Sequence, residues 1–325
     1  MQAWICHELS GPEALTWQDS PTPEPGKGEV RIAIKAASLN FPDLLIVQGK
    51  YQMRPPLPFV PGAEFAGVVE AVGEGVKHLA VGTQVAGFAG TGGFGTHTVA
   101  PAAMLMPLPP VFSFEDAAAF LCTYGTTYHG LMDRAALKAG ETVLVLGAAG
   151  GVGTAAIQIA KAAGAKVIAA ASTDEKCALC RELGADATIN YTTQNLRDEL
   201  KVITDGKGPD VVYDPVGGDL TEAAFRSIAW RGRHLIIGFA NGPIPALPLN
   251  LPLLKGASVM GVFWGEFAKR EPQNNAACLM QLAAWYMEGK IKPVIEHKLP
   301  MSQLKEAFAL MGSRQVRGKV VLVNA

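Results

Sequence analysis

Gly147-Ala148-Ala149-Gly150-Gly151-Val152-Gly153 is the run of residues best suited to holding a charged group. The apolar Val143-Leu144-Val145-Leu146 precedes it, and the helix-forming Thr154-Ala155-Ala156-Ile157-Gln158-Ile159-Ala160-Lys161 follows. Strand, glycine turn and helix in that order let a backbone approach a pyrophosphate closely. The helix N-terminus adds amide donors and a partial positive charge. Gly150, Gly151, Val152 and Gly153 are therefore expected to hold a dinucleotide, the alternative being a turn that merely joins strand to helix. Read strictly, the motif is A-x-G-x-x-G, with Ala148 where the fingerprint has its first glycine. The next strand candidate ends at Ala169-Ala170-Ala171-Ser172-Thr173. NAD-binding proteins place a carboxylate there for the ribose 2′-hydroxyl, and a carboxylate would repel a 2′-phosphate. Ala171 stands in its place, Ser172 can donate a hydrogen bond, and Lys176 brings a point charge one helical turn later. This favours NADPH over NADH, unless Lys176 is a solvated helix lysine and Asp174 binds the ribose. Cys177-x-x-Cys180 is a single pair inside a helical stretch, a weak metal signal, and reads as ordinary helix residues.

A chain of 325 residues suggests two lobes. Hydrophobic residues make up 49% and the formal net charge is −1, which fits neither disorder nor the basic excess that phosphate backbones demand. Nucleic acid is not an expected partner. The opening Met1-Gln2-Ala3-Trp4-Ile5-Cys6-His7-Glu8 lacks a cationic start followed by an apolar stretch, and no later apolar run is long enough to cross a bilayer. Five scattered cysteines, without framework spacing, fit reduced thiols. The expectation is a soluble, cytoplasmic protein.

The first third, with Val30-Arg31-Ile32-Ala33-Ile34 and Gly67-Val68-Val69-Glu70-Ala71-Val72, reads as irregular and mainly antiparallel strands. From about Glu141, short buried strands alternate with Ala-rich helical stretches, the rhythm of a parallel sheet. Further strand candidates lie at Ala187 to Tyr191, Asp210 to Tyr213, His234 to Phe239 and Val259 to Phe263, for about six in all, the count of a full dinucleotide fold. After Trp264 the rhythm stops, with helices near Asn275 to Glu288 and Gln303 to Met311 and a closing Lys319-Val320-Val321-Leu322-Val323 strand.

Together with the glycine turn, three stretches carry a resemblance. They are Pro58-Phe59-Val60-Pro61-Gly62-Ala63-Glu64-Phe65-Ala66-Gly67-Val68-Val69, Gly92-Gly93-Phe94-Gly95 before Thr96-His97, and Arg317-Gly318-Lys319-Val320-Val321. In this order, nearly end to end, the chain resembles the zinc-free NADPH:quinone oxidoreductases of the medium-chain dehydrogenase/reductase superfamily. The resemblance implies an α/β protein with a GroES-like, mainly-β catalytic domain made from 1–123 and 265–325. Between them would lie a Rossmann domain, 124–264, with a doubly wound, six-stranded parallel sheet that binds NADPH. It implies a homodimer formed through the last strand of that sheet, here near Ser258 to Phe263. By the same resemblance Asn40 and Tyr51 lie beside the nicotinamide, where both can hydrogen-bond a carbonyl oxygen. Tyr51, with an ordinary pKa of about 10, would donate to developing negative charge, unless it only packs or caps a loop. Ser172, Lys176 and Tyr191 would surround the 2′-phosphate, with Arg317 reaching the same group. Thr126 (or Thr127), Phe239 and Phe263 complete the expected cofactor-binding set.

Zinc-dependent relatives use a catalytic Cys, a Gly-His-Glu and a further Cys. Here Asn40 takes the first place, Ala63 replaces the His, and Cys122 holds the third. Glu64 survives from that pattern and is expected to make a structural hydrogen bond. No cysteine lies between Cys6 and Cys122, so the four-cysteine structural lobe is missing too, and no metal is expected. Without a Lewis acid, reduction of an electron-poor quinone or enone is easier than alcohol oxidation, because it needs mainly positioning and oxyanion stabilisation. The expected activity is NADPH-dependent reduction of a small-molecule quinone or enone. The alternatives are an enoyl-thioester or 2-alkenal reductase, or a non-catalytic NADPH-binding protein, against which Asn40 and Tyr51 argue.

Overall fold

The computed structural model describes residues 1–324, which divide into two compact units. One combines Met1–Cys122 with the chain from Ile295 on, and the other is Thr123–Val294.

The first unit is built on a seven-stranded sheet. Its central strand, Glu29–Ser38, alternates buried and half-buried residues, so Val30, Ile32 and Ile34 point into the core while their neighbours meet solvent. Glu64–Val72 and His97–Pro101 pair with it antiparallel. So does the closing strand Lys319–Val323, with Val321 opposite Ser38. Leu39 N–H continues that ladder to Val320 O at 3.1 Å. The two ends of the chain thus form one sheet, over a core that includes Phe65, Phe94, Leu304 and Phe308. Phe94 and Phe308 meet edge to face at 6.1 Å. The mainly-β, GroES-like architecture expected from the sequence is present.

The second unit holds a six-stranded, fully parallel sheet. Across the sheet the strands are Ala187–Asn190, Lys166–Ala171, Thr142–Leu146, Val211–Asp214, Arg233–Ile236 and Ser258–Gly261. Numbered by appearance this is the order 3-2-1-4-5-6 of the dinucleotide-binding fold. Helices such as Gly151–Ala162 and Asp174–Glu182 make the crossovers, and burial on both faces explains why the central strands read as unbroken apolar runs.

Several boundaries differ from the sequence expectation, two of them with consequences for the site and the division into units. The fifth strand ends at Ile236: Ile237 N–H makes the last ladder bond, to Asp214 O where the fourth strand ends, and Gly238 N–H turns back to the same oxygen, so Phe239 lies in a loop. The expected return to the first unit at residue 265 moves to Ile295. Helices Trp264–Arg270 and Pro272–Met287 belong to the second unit because their aromatic residues pack there. Phe267 stacks on His129 at 4.0 Å, Trp285 tilts against Tyr128 at 5.7 Å, and the Trp264 ring sits so close to Gly125 that a Cβ there would lie 2.7 Å from it. Among the described residues no helix is long and apolar enough to cross a membrane.

Candidate active site

In the second unit, the C-terminal ends of the first and fourth strands, Leu146 and Asp214, mark the point where strand order reverses. Ligands of such sheets bind outside that point. Gly147 has φ 56° and a Cβ on it would lie 2.8 Å from Val216, so the sharp turn falls one residue before Ala148. Ala148, whose N–H donates to Ala170 O at 3.0 Å, is tolerated for that reason. A Cβ on Gly153 would lie 2.4 Å from Gly147 O, which only glycine avoids. Gly150 caps the twelve-residue helix Gly151–Ala162 without any side-chain acceptor over the first-turn amides. A backbone cradle that a side chain would fill, beneath an uncapped helix N-terminus, fits a pyrophosphate. Opposite it, Asp214 Oδ1 accepts from Val216 N and Gly217 N, both at 2.9 Å. Its Oδ2 accepts from Thr221 Oγ1 at 2.6 Å and faces His234 Nε2 at 3.1 Å. These partners outweigh burial and hold the Asp214 carboxyl below its ordinary value, so a fixed carboxylate shapes this turn. Phe239 lies against it, 3.0 Å from where a Gly217 Cβ would be.

At the second strand's end Ala171 is buried, and Lys176 Nζ donates to Ser172 Oγ at 3.3 Å. An ammonium and a hydroxyl thus share one spot, with Tyr191 immediately after the adjacent strand, its N–H on Ala171 O. This set fits a 2′-phosphate. Asp174, the alternative ribose ligand, has Oδ1 engaged by Asn190 Nδ2 at 2.8 Å. Thr127 is buried with its hydroxyl on Thr123 O and Tyr213 Oη, whereas Thr126 is half-buried. Cys177 and Cys180 are buried helix residues. Phe263, the residue before helix Trp264–Arg270, is exposed.

The first unit gathers a buried polar cluster. Asn40 precedes the helix Phe41–Val47, where its N–H donates to Asp43 Oδ2 at 2.8 Å. Asp43 Oδ1 accepts from Ala63 N at 3.0 Å, tying this turn to the strand Glu64–Val72. Glu64 Oε2 accepts from Ser38 Oγ and Asn40 Nδ2, each at 2.9 Å, and its Oε1 accepts from Cys122 N at 2.9 Å. Lys319 Nζ donates to Leu39 O and Asn40 Oδ1, each at 2.7 Å, and stands 3.8 Å from Glu64 Oε2. Burial pushes the Asp43 carboxyl up to about 7, against the pull of its backbone donors and Lys319. Tyr51 is half-buried beside this cluster; burial first, then its neighbours Cys122 and Asp43, raise its pKa, so its hydroxyl stays protonated.

Sequence reasoning gave Lys319 and Asp43 no role. Asp43 had a local signal in the Asn40-x-x-Asp43 spacing of a helix start, but Lys319 is 279 residues from Asn40 and had none. Arg317, expected at the 2′-phosphate, belongs to the first unit, where its Nε donates to Glu296 Oε1 at 2.7 Å.

Zinc does not suit this cluster. Asn40 and Ala63 stand at two ligand places, the Lys319 ammonium occupies the Asn40 side, and burial followed by Glu64 keeps the Cys122 thiol far above its ordinary value and thus protonated. Among the described residues no group of three or more His, Cys, Asp or Glu could hold a metal.

Residues 26–110 match the alcohol dehydrogenase GroES-like domain, and residues 151–285 match the family described as zinc-binding dehydrogenase. The chain is 40% identical to the quinone oxidoreductase-like protein 2 homolog of Nematostella vectensis, across 99% of this chain and 88% of that protein. It is 36% identical to a quinone oxidoreductase of Pseudomonas aeruginosa, across 96% of each. The Escherichia coli quinone oxidoreductase, solved in complex with NADPH, superposes with a TM-score of 0.93 at 31% identity, over 100% of both chains. With two family matches in sequence order, relatives at this identity over nearly the whole chain, and a parallel sheet and β-rich unit of the same architecture, the chain belongs to the quinone oxidoreductase family of medium-chain dehydrogenases/reductases.

Proposed function

We propose that the protein is an NADPH-dependent oxidoreductase that reduces a quinone without a metal. The observation that carries this reading is the Asn40 carboxamide, held by Lys319 and Glu64 at the place where zinc-dependent relatives put a metal ligand. That arrangement offers an oxygen a hydrogen-bond donor rather than a Lewis acid. NADPH, when bound, supplies the hydride. The backbone of Gly150, Gly151, Val152 and Gly153 holds the pyrophosphate, and Ser172, Lys176 and Tyr191 hold the 2′-phosphate. Thr126, Phe239 and Phe263 line the rest of the cofactor. Hydride addition to a quinone leaves negative charge on oxygen, and donors aimed at that charge lower the barrier. The second N–H of the Asn40 carboxamide and the protonated Tyr51 hydroxyl donate there, and a proton from water completes the hydroquinone.

The test is NADPH oxidation with an ortho-quinone, a para-quinone, a 2-alkenal and a crotonyl thioester. Highest kcat/KM on the quinones supports the reading, and turnover confined to the alkenal or the thioester replaces the substrate. Tight NADPH binding without turnover on any of them removes the enzymatic assignment. We further propose a homodimer through Ser258–Gly261, the strand at the edge of the parallel sheet, supported by Val259, which is 47% exposed. The five unpaired cysteines support a reducing, cytoplasmic setting.

A further inference from the structure

A carboxamide has two ends of nearly equal shape, and turning it over exchanges a donor for an acceptor. At Asn40 the neighbours decide which end is which. The Lys319 ammonium can only donate and the Glu64 carboxylate can only accept. They sit at opposite ends of the amide, Nζ 2.7 Å from Oδ1 and Oε2 2.9 Å from Nδ2. The flipped amide would set NH2 against an ammonium and a carbonyl against a carboxylate, with Lys319 at 5% exposure and Glu64 at 0%. Water cannot relieve either clash there. Lys319 is itself fixed by Leu39 O at 2.7 Å, and Glu64 by Ser38 and the Cys122 N–H. Glu64 takes one of the two N–H groups on Nδ2, so the other is the donor the amide can offer. The ammonium on Oδ1 also draws electron density through the amide and strengthens that donor.

We infer that Lys319 is a positioning residue which, with Glu64, fixes the Asn40 carboxamide in the orientation that donates to the acceptor's oxygen. This rests on the reading of Asn40 given above. Its consequence is a role in turnover for a residue in the last strand, which touches the reaction only through Asn40.

The experiment measures kcat with a para-naphthoquinone and the Kd for NADPH in Asn40→Leu, Lys319→Met and the double variant. Lys319→Met is expected to lower kcat about tenfold or more with the NADPH Kd unchanged, since a donor is lost only where charge develops. The double variant is expected to be no slower than Asn40→Leu alone. Glu64→Gln combined with Lys319→Met removes both charges, leaves no unpaired buried carboxylate, and gives the same readout if Lys319→Met does not fold. If Asn40→Leu leaves kcat unchanged, the reading of Asn40 falls and Lys319 falls with it. If Asn40→Leu is slow while Lys319→Met is not, the inference about Lys319 is overturned and Asn40 keeps its role. Losses that multiply in the double variant, or an NADPH Kd that weakens in step with kcat, overturn it in the same way.

Discussion

Lys176→Glu puts the reading of the second strand at risk. Lys176 Nζ lies 3.3 Å from Ser172 Oγ, so a phosphate accepting from that hydroxyl is within reach of the ammonium. A hydrogen bond to a charged group contributes about 1.5–3 kcal/mol. At about 1.4 kcal/mol per decade, losing it lowers affinity from about tenfold to somewhat over a hundredfold. A glutamate adds repulsion. Two charges about 4 Å apart interact by about 4 kcal/mol at an effective dielectric near 20, and solvent screening at this half-exposed position leaves on the order of 1 kcal/mol. The ratio of kcat/KM for NADPH to that for NADH is therefore expected to fall about a hundredfold in Lys176→Glu and about tenfold in Lys176→Met. Most of the change should lie on the NADPH side. Initial rates with each cofactor at a fixed quinone concentration give the ratio. Repeating them at high salt should shrink the wild-type preference, because the Debye length falls from about 8 Å at 0.15 M to about 3 Å at 1 M. Equal use of both cofactors by the wild type, or a ratio unmoved by either substitution, refutes the reasoning.

Gly153→Ala sets a Cβ 2.4 Å from Gly147 O, and is expected to weaken NADPH binding and to cost about 1–3 kcal/mol of stability by overpacking; a cofactor titration with unchanged Kd counts against the cradle. Tyr51→Phe is expected to lower quinone turnover about tenfold or more if its hydroxyl donates to the developing oxyanion, and unchanged kcat on quinone and enone alike removes it from the reaction. Asp43 gives a pH dependence of fixed sign. Its folded value of about 7 lies above the ordinary aspartate value, so its contribution to stability is full below about pH 4 and is lost as pH rises through 7. The shift amounts to on the order of 4 kcal/mol. Urea unfolding at pH 5 and pH 8 should show the wild type losing stability relative to Asp43→Asn on the alkaline side, and a difference flat with pH contradicts it. Val259→Lys is expected to convert the proposed dimer to monomer in light scattering, whereas a wild type already monomeric sinks the edge-strand interface.

The glycine turn, the parallel strands and the missing carboxylate at Ala171 were legible because each depends on neighbours in sequence. Gly153 must be glycine for a contact with Gly147, six residues away, and the apolar strands read as unbroken runs because both sheet faces are covered. Strand ends were less legible. The fifth strand stops at Ile236 because its partner strand ends at Asp214, whose carbonyl takes the last ladder bond. The boundary near 265 failed for a similar reason. Helices that break the βα rhythm still belong with the parallel unit, because Trp264, Phe267 and Trp285 find their partners at Gly125, His129 and Tyr128.

Sequence by itself determined the class of fold, the dinucleotide turn, the absence of two zinc ligands, and Asn40 and Tyr51 as candidates. Tertiary structure alone decided how Asn40 is held. The closing strand pairs with Glu29–Ser38, and that antiparallel register brings Lys319 to Asn40 across 279 residues of chain. The same packing gave Arg317 to Glu296, and buried Thr127 while leaving Thr126 half-exposed. Local patterns report on the backbone within a few residues. A buried amide takes its orientation from whichever charges the sheet delivers, and those come from anywhere in the chain.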